Sequence, residues 1–301
     1  IIGSVLMDVT FNGLAGFVLS KVKPKGSAIL DTLIFWIMMM PSMGIVTGYM
    51  NMIDFTGKTF IVSGIGGIGA ETTKLLDSRG AEVILMDIDE KNITRTKELL
   101  SGNNHSGYVC DFSNVEGIEP VVRKIVMEHG PVDGFVHCVG VGAVRPLKMS
   151  KYDFMLGVMN INYFSFVEVV RCLSIKGNFN PKGMNVVGIS ALGAFLGNST
   201  KTAYCASKGA MNAAVRCLAK ELAPKNIRVN TVAPGVTNTL MATNFEQMGI
   251  ESEEIKMIKS RQYLGVCEPI DIANAIAFLL SDLSRMITGS CISVDGGKLT
   301  S

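Results

Sequence analysis

Residues 59–76 read TFIVSGIGGIGAETTKLL, and this stretch decides the fold. Thr59 to Val62 is a short apolar, β-branched run, the signature of a buried strand. Gly64, Gly66, Gly67 and Gly69 then crowd into a turn. Beyond it, Ile68, Thr72, Leu75 and Leu76 share one face of a helical pattern. Strand, glycine turn and helix in this order make an anion cradle. Glycines let the backbone turn tightly and approach the anion, and the unpaired N–H groups of the first helical turn point at it.

Gly64, Gly66 and Gly69 carry the spacing G-x-G-x-x-G, a weak signal by itself in a chain with 32 glycines. The next strand strengthens it. Glu82 to Met86 (EVILM) is apolar, and Asp87 closes it. A carboxylate there accepts hydrogen bonds from the adenosine ribose and repels a 2′-phosphate. The glycine turn holds no Arg or Lys that would welcome that phosphate. NAD is therefore expected in preference to NADP. The alternative for Asp87 is a solvated strand end.

At 301 residues and 48% hydrophobic, the chain can bury a sizeable core. A net charge of +2, with no basic stripe, gives no footing for nucleic acid. The seven cysteines are scattered without a CxxC pair, which reads as reduced thiols in a cytoplasmic setting. His105, His129 and His137 are too separated to suggest a metal site.

Residues 1–51 form a hydrophobic N-terminal extension unlike the rest. Ile1 to Ser20 is apolar apart from Asp8 and Asn12, Lys21, Lys23 and Lys25 follow, and Thr32 to Met50 carries no charge. Two spans around a basic loop would be a membrane hairpin, but the loop's charge would put the following domain outside the cell, away from nicotinamide cofactors. The remaining readings are a monotopic anchor with membrane contact, an oligomer-facing arm, or a non-native leader. The second domain, 52–301, starts near Met52.

From there strands and helices alternate. Strands are expected at 108–110, 134–138, 184–189, 227–232 and 291–294, and helices at 90–100, 118–128, 153–173, 202–222 and 269–280. Repeated βα units with short apolar strands predict an α/β fold, a doubly wound parallel sheet of about seven strands with ligands at the strands' carboxyl ends. Leu240 to Arg261 reads as a helical excursion and the expected substrate lid; its Met241, Phe245, Met248 and Met257 suggest an apolar or mixed substrate.

Tyr204 and Lys208, at i and i+4, share one helix face. An ammonium near a phenol favours the phenolate and lowers its pKa, fitting it for proton exchange with a hydroxyl or carbonyl. A solvated Tyr–Lys pair is the alternative.

With the glycine turn at Ser63 to Gly69, Asp87, Asp111, Asn162, Ile189-Ser190, YCASK at 204–208, RVNTVAPG at 228–235 and ITGSCISVDGG at 287–297, the chain resembles the short-chain dehydrogenase/reductase (SDR) family over about 52–298. The resemblance implies one Rossmann-type domain, a nicotinamide cofactor, and a homodimer or homotetramer. It implies Tyr204 as general acid/base, Lys208 lowering its pKa and binding ribose, and Asn162 holding a relay water. The cofactor would meet Gly64, Gly66, Gly67, Ile68, Gly69, Asp87, Asp111, Phe112, Gly140, Pro234, Gly235, Thr237 and Thr239, besides Tyr204 and Lys208.

Three departures stand out. The glycine turn is one residue shorter than the family's. The family's Asn-Asn-Ala-Gly is here His137-Cys138-Val139-Gly140, which removes the Asn amide that ties the sheet. The family's carbonyl-polarising serine falls on Ala191, with Ser190 one residue earlier. Ser190 serves if the loop bulges; otherwise Ser199, Thr200 or a water substitutes. The expected activity is an NAD-dependent oxidoreductase interconverting a secondary alcohol and a ketone in a small-molecule substrate. The alternative is a non-catalytic dinucleotide-binding sensor or scaffold of the same fold.

Overall fold

A computed structural model describes residues 53–102, 104–239 and 261–300. The N-terminal extension and almost all of the Leu240 to Arg261 excursion lie outside these described residues. Seven strands form one parallel sheet: β1 (Thr59–Ser63), β2 (Glu82–Asp87), β3 (Ser106–Val109), β4 (Gly134–His137), β5 (Met184–Ile189), β6 (Ile227–Pro234) and β7 (Cys291–Val294). Their order is β3-β2-β1-β4-β5-β6-β7. The order reverses between β1 and β4, and a parallel α/β sheet opens its ligand crevice at that point. The register places Ser63 beside Met86 on one side and beside His137 on the other, so the ends of β1, β2 and β4 are level there.

The connecting helices are α1 (Gly67–Ser78), α2 (Glu90–Lys97), α3 (Ile118–His129), α4 (Tyr152–Met159), α5 (Ser165–Leu173), α6 (Thr202–Leu222) and α7 (Pro269–Leu280). The strands are apolar on both faces, as sheets sandwiched by helices require. Alternate residues Ile61, Ile84, Phe135, Val186 and Val229 pack with Ile118, Val122 and Ile125 of α3, Phe166, Val169 and Val170 of α5 and Met211 and Val215 of α6. On another part of the sheet α1 packs against α7. The one long helix expected at 153–173 is divided: a π-helical turn, Asn160–Phe164, separates α4 from α5. The apolar pattern continues through it, so a sequence period cannot reveal the inserted residue; such turns gather at functional sites. No helix among the described residues is long and apolar enough to cross a membrane.

The sheet tie missing from the sequence is present in another form. His137, fully buried at the end of β4, meets Ser63 Oγ through Nδ1 at 2.9 Å and Ser165 Oγ through Nε2 at 3.3 Å. It thereby links β1, β4 and α5. Phe112, Phe135 and Phe166 surround its ring. Burial, with a smaller contribution from the Lys208 ammonium, holds the imidazole well below its ordinary range. The unfolded chain thus binds this proton more readily than the folded one. Stability is expected to be fully present above about pH 6.5 and to fall by up to about 1.4 kcal/mol per pH unit below it, until the folded pKa is reached. Urea unfolding across pH 5 to 8 checks this: His137→Asn should flatten that part of the profile.

Candidate active site

The glycine turn is built by close approaches. Gly64 has φ +79°, and a Cβ on it would lie 2.6 Å from the Val139 nitrogen in the loop after β4. A Cβ on Gly69 would fall on the Gly64 carbonyl oxygen, and one on Gly67 would lie 2.8 Å from a Thr239 methyl. The turn therefore touches both the β4 loop and the strip beyond β6. Gly66, the residue before α1, has open space around it and φ of −84°. Ile68 is the second residue of α1, where its N–H is among those left unpaired.

The shortened turn is braced by Asp87. One carboxylate oxygen accepts the Ile65 N–H at 2.5 Å, and the other accepts the Asp89 N–H at 2.8 Å and the Asn92 amide at 3.5 Å. Asp87 is buried, not a solvated strand end. Asp111 folds back on Ser113, accepting from its N–H and hydroxyl at 2.9 and 2.7 Å. The Phe112 side chain is in the core, so only its backbone can face a ligand.

The residues expected to be catalytic lie where β5, α6 and the π turn meet. Lys208 is 3% exposed, and its Nζ donates to the Ile189 carbonyl at 2.7 Å. Burial lowers its pKa to about 8. Asn162 is fully buried: its Oδ1 accepts the Val141 N–H at 2.8 Å, and its Nδ2 donates to Ser207 Oγ at 3.0 Å and the Val141 carbonyl at 3.2 Å. A Cβ on Gly140 would sit 3.3 Å from Lys208 Nζ and 3.4 Å from Asn162 Oδ1, so these three groups converge.

Tyr204 corrects one expectation. It is partly buried, packed with Ala143, Val158 and Ala203, and burial pushes its phenol up to about 12. The ammonium one turn away is engaged by the Ile189 carbonyl, and desolvation of the phenolate prevails. Ser190 follows Ile189 directly. It is 2% exposed, and its Oγ has no hydrogen-bond partner among the described residues. Thr200, one of the suggested substitutes, turns its hydroxyl onto the Ser199 carbonyl at 2.6 Å. Its φ of +64° is uncommon for a β-branched residue.

Beyond β6, Thr237 donates to the Gly235 carbonyl at 3.2 Å. Sequence reasoning gave no role to Ser63, Ile65, Val141, Ser207 and Gln262, which bond to His137, Asp87, Asn162 and the strip beyond β6. Most act through backbone groups or generic hydroxyls, whose partners a sequence pattern does not reveal. The dinucleotide fits on structural grounds: the glycine turn is a cradle that Cβ atoms would fill.

A family model described as enoyl-(acyl carrier protein) reductase matches residues 64–298. The chain is 32% identical over 237 residues to carbonyl reductase family member 4 of Danio rerio, covering 79% of this chain and 95% of that protein. It is 32% identical over 247 residues to 3-oxoacyl-[acyl-carrier-protein] reductase FabG of Thermotoga maritima, covering 80% and 97%. This chain belongs to the short-chain dehydrogenase/reductase family. Among solved structures, an actinorhodin polyketide ketoreductase variant with NADPH superposes at a TM-score of 0.75 and 26% identity, covering 80% of this chain and 97% of that one. These likenesses support nicotinamide-dependent reductase activity in general.

Within the SDR glycine turn the positions are not equivalent. Gly69→Ala should disrupt folding and dinucleotide binding together, since its Cβ has no room in the protein itself, whereas Gly66→Ala should fold as the parent does and lose dinucleotide affinity, because its open side is where the pyrophosphate must approach. Titration calorimetry with NADH, alongside circular dichroism, separates the two.

Proposed function

We propose that the chain reduces a ketone to a secondary alcohol, with NAD in preference to NADP. The observation that carries this reading is the buried, unpartnered Ser190 Oγ next to the Ile189 carbonyl that anchors Lys208. A buried hydroxyl without a partner costs about 1–3 kcal/mol, and a substrate carbonyl oxygen would relieve it.

When bound, the reduced nicotinamide supplies a hydride to the carbonyl carbon. Ser190 donates its hydroxyl proton in a hydrogen bond to the carbonyl oxygen, where negative charge develops. Tyr204, neutral at pH 7 because burial pushes its phenol up to about 12, gives its proton to that oxygen and completes the alcohol. The Lys208 ammonium stabilises the phenolate left behind and is placed to hold a ribose hydroxyl. Asn162, on the π turn, keeps the Gly140 loop in register with Lys208. Phe195 and Leu196, exposed between Ser190 and Tyr204 in the chain, support an apolar or mixed substrate.

The cofactor preference rests on charge. Asp87 places a carboxylate against the glycine turn, and the turn brings no cation to offset a 2′-phosphate. The same reading carries a cytoplasmic homodimer or homotetramer.

Tyr204→Phe should abolish turnover while leaving NADH binding close to the parent's; undiminished turnover would rule out Tyr204 as the proton donor, and a parent that binds NADH yet turns over no ketone or alcohol would favour the sensor or scaffold reading. Ser190→Ala should lower kcat on the order of 100-fold. In fluorescence titrations NADH should bind more tightly than NADPH, and Asp87→Ala should narrow the difference.

A further inference from the structure

Gln262 has no part in the family resemblance, yet both ends of its amide are engaged beside the Gly235–Thr239 strip. It is 3% exposed. Its Oε1 accepts the Val236 N–H at 2.9 Å, while its Nε2 donates to the Val236 carbonyl at 3.1 Å and to the Gly265 carbonyl at 2.6 Å. Nε2 also lies 3.3 Å from Cys267 Sγ. One carboxamide thus clasps both polar groups of a single backbone residue.

The slot for this amide is made by two glycines. A Cβ on Gly235 would lie 2.6 Å from Gln262 Oε1, and a Cβ on Gly296, whose φ is +57°, would lie 2.7 Å from Gln262 Cγ. In this chain the glycine of the Pro234-Gly235 pair is therefore required to admit Gln262, whatever else approaches it.

The direction of the clasp gives it a function. Thr237 forms a parallel bridge with Cys267: the Cys267 N–H donates to the Val236 carbonyl at 2.9 Å, and the Asn238 N–H donates to the Cys267 carbonyl at 2.8 Å. The Val236 carbonyl and the Asn238 N–H therefore point towards Cys267, and both polar groups of Val236 towards Gln262. The N–H and C=O of Thr237 itself point the other way, as in any bridged strand. Gln262 grips the strip from behind, and Thr239, two residues on, rests against Gly67 of the glycine turn.

We propose that Gln262 is a positioning residue for the nicotinamide end of the cofactor, holding the Gly235–Thr239 strip at a set distance from the glycine turn. This rests on the dinucleotide reading above. The clasp acts at one end of the crevice only. The adenosine half, next to Asp87, is braced by separate contacts.

The test compares NADH with ADP-ribose, which lacks the nicotinamide, on the full chain. Gln262→Met keeps the volume and removes every hydrogen bond. We expect its NADH affinity to fall about tenfold, the loss of one to two positioned hydrogen bonds, with ADP-ribose affinity unchanged. The KM for NADH should rise and kcat should fall. Hydrogen exchange should quicken in the peptide covering 235–239 and stay slow in 227–233. Equal losses for both ligands, or no loss for either, would overturn the proposal, as would quickened exchange along the whole of β6. Should Gln262→Met fold poorly, Gln262→Glu gives the same comparison, since it keeps one acceptor but loses both donors. A parent protein that binds neither ligand would instead sink the dinucleotide reading.

Discussion

Backbone meets backbone at the carboxyl ends of β1 and β4, and everything functional depends on that contact. Gly64 can lie against the Val139 nitrogen, and Gly69 against the Gly64 carbonyl, only because both lack a Cβ. Interiors are packed too densely to absorb an extra methyl at such a place. The turn so formed leads directly into the first amides of α1 at the carboxyl end of β1. The strand order, reversing between β1 and β4, provides the crevice.

Around this contact, burial decides protonation. Tyr204, His137 and Lys208 are all driven towards their neutral forms. For Tyr204 that means a phenol that stays protonated at neutral pH. For His137 it means a neutral ring bridging two hydroxyls. Lys208 is the group in tension: it is desolvated, and the Ile189 carbonyl compensates it. Buried polar groups persist when they are hydrogen-bonded, and among the described residues the Ser190 hydroxyl, like the Thr72 hydroxyl and the Asn212 amide nitrogen, is buried without a partner.

The chain's departures from its family are answered locally. A glycine turn one residue short is tied down by the Asp87 carboxylate on the Ile65 amide. The lost Asn amide after β4 is replaced by the His137 imidazole between Ser63 and Ser165. In both cases a polar side chain takes up backbone or hydroxyl groups that the changed sequence would otherwise leave without partners, which a buried site does not tolerate.

The sequence by itself determined the alternation of strands and helices, the parallel sheet and the glycine cradle. Apolar runs, helical periodicity and glycine placement are local properties, and β5, α6, α7 and β7 lie at the bounds their patterns predict. It also placed Tyr204, Lys208, Asn162 and Ser190 on elements that converge. Only the tertiary structure decided the rest. The π turn at Asn160–Phe164 leaves the apolar pattern intact, so no period exposes it. The phenol of Tyr204 is shifted opposite to the i,i+4 argument, because desolvation depends on everything packed around it rather than on one neighbour. Which glycines are indispensable, and that Gln262 clasps Val236, follow from contacts between residues far apart in the chain, and sequence spacing carries no trace of those.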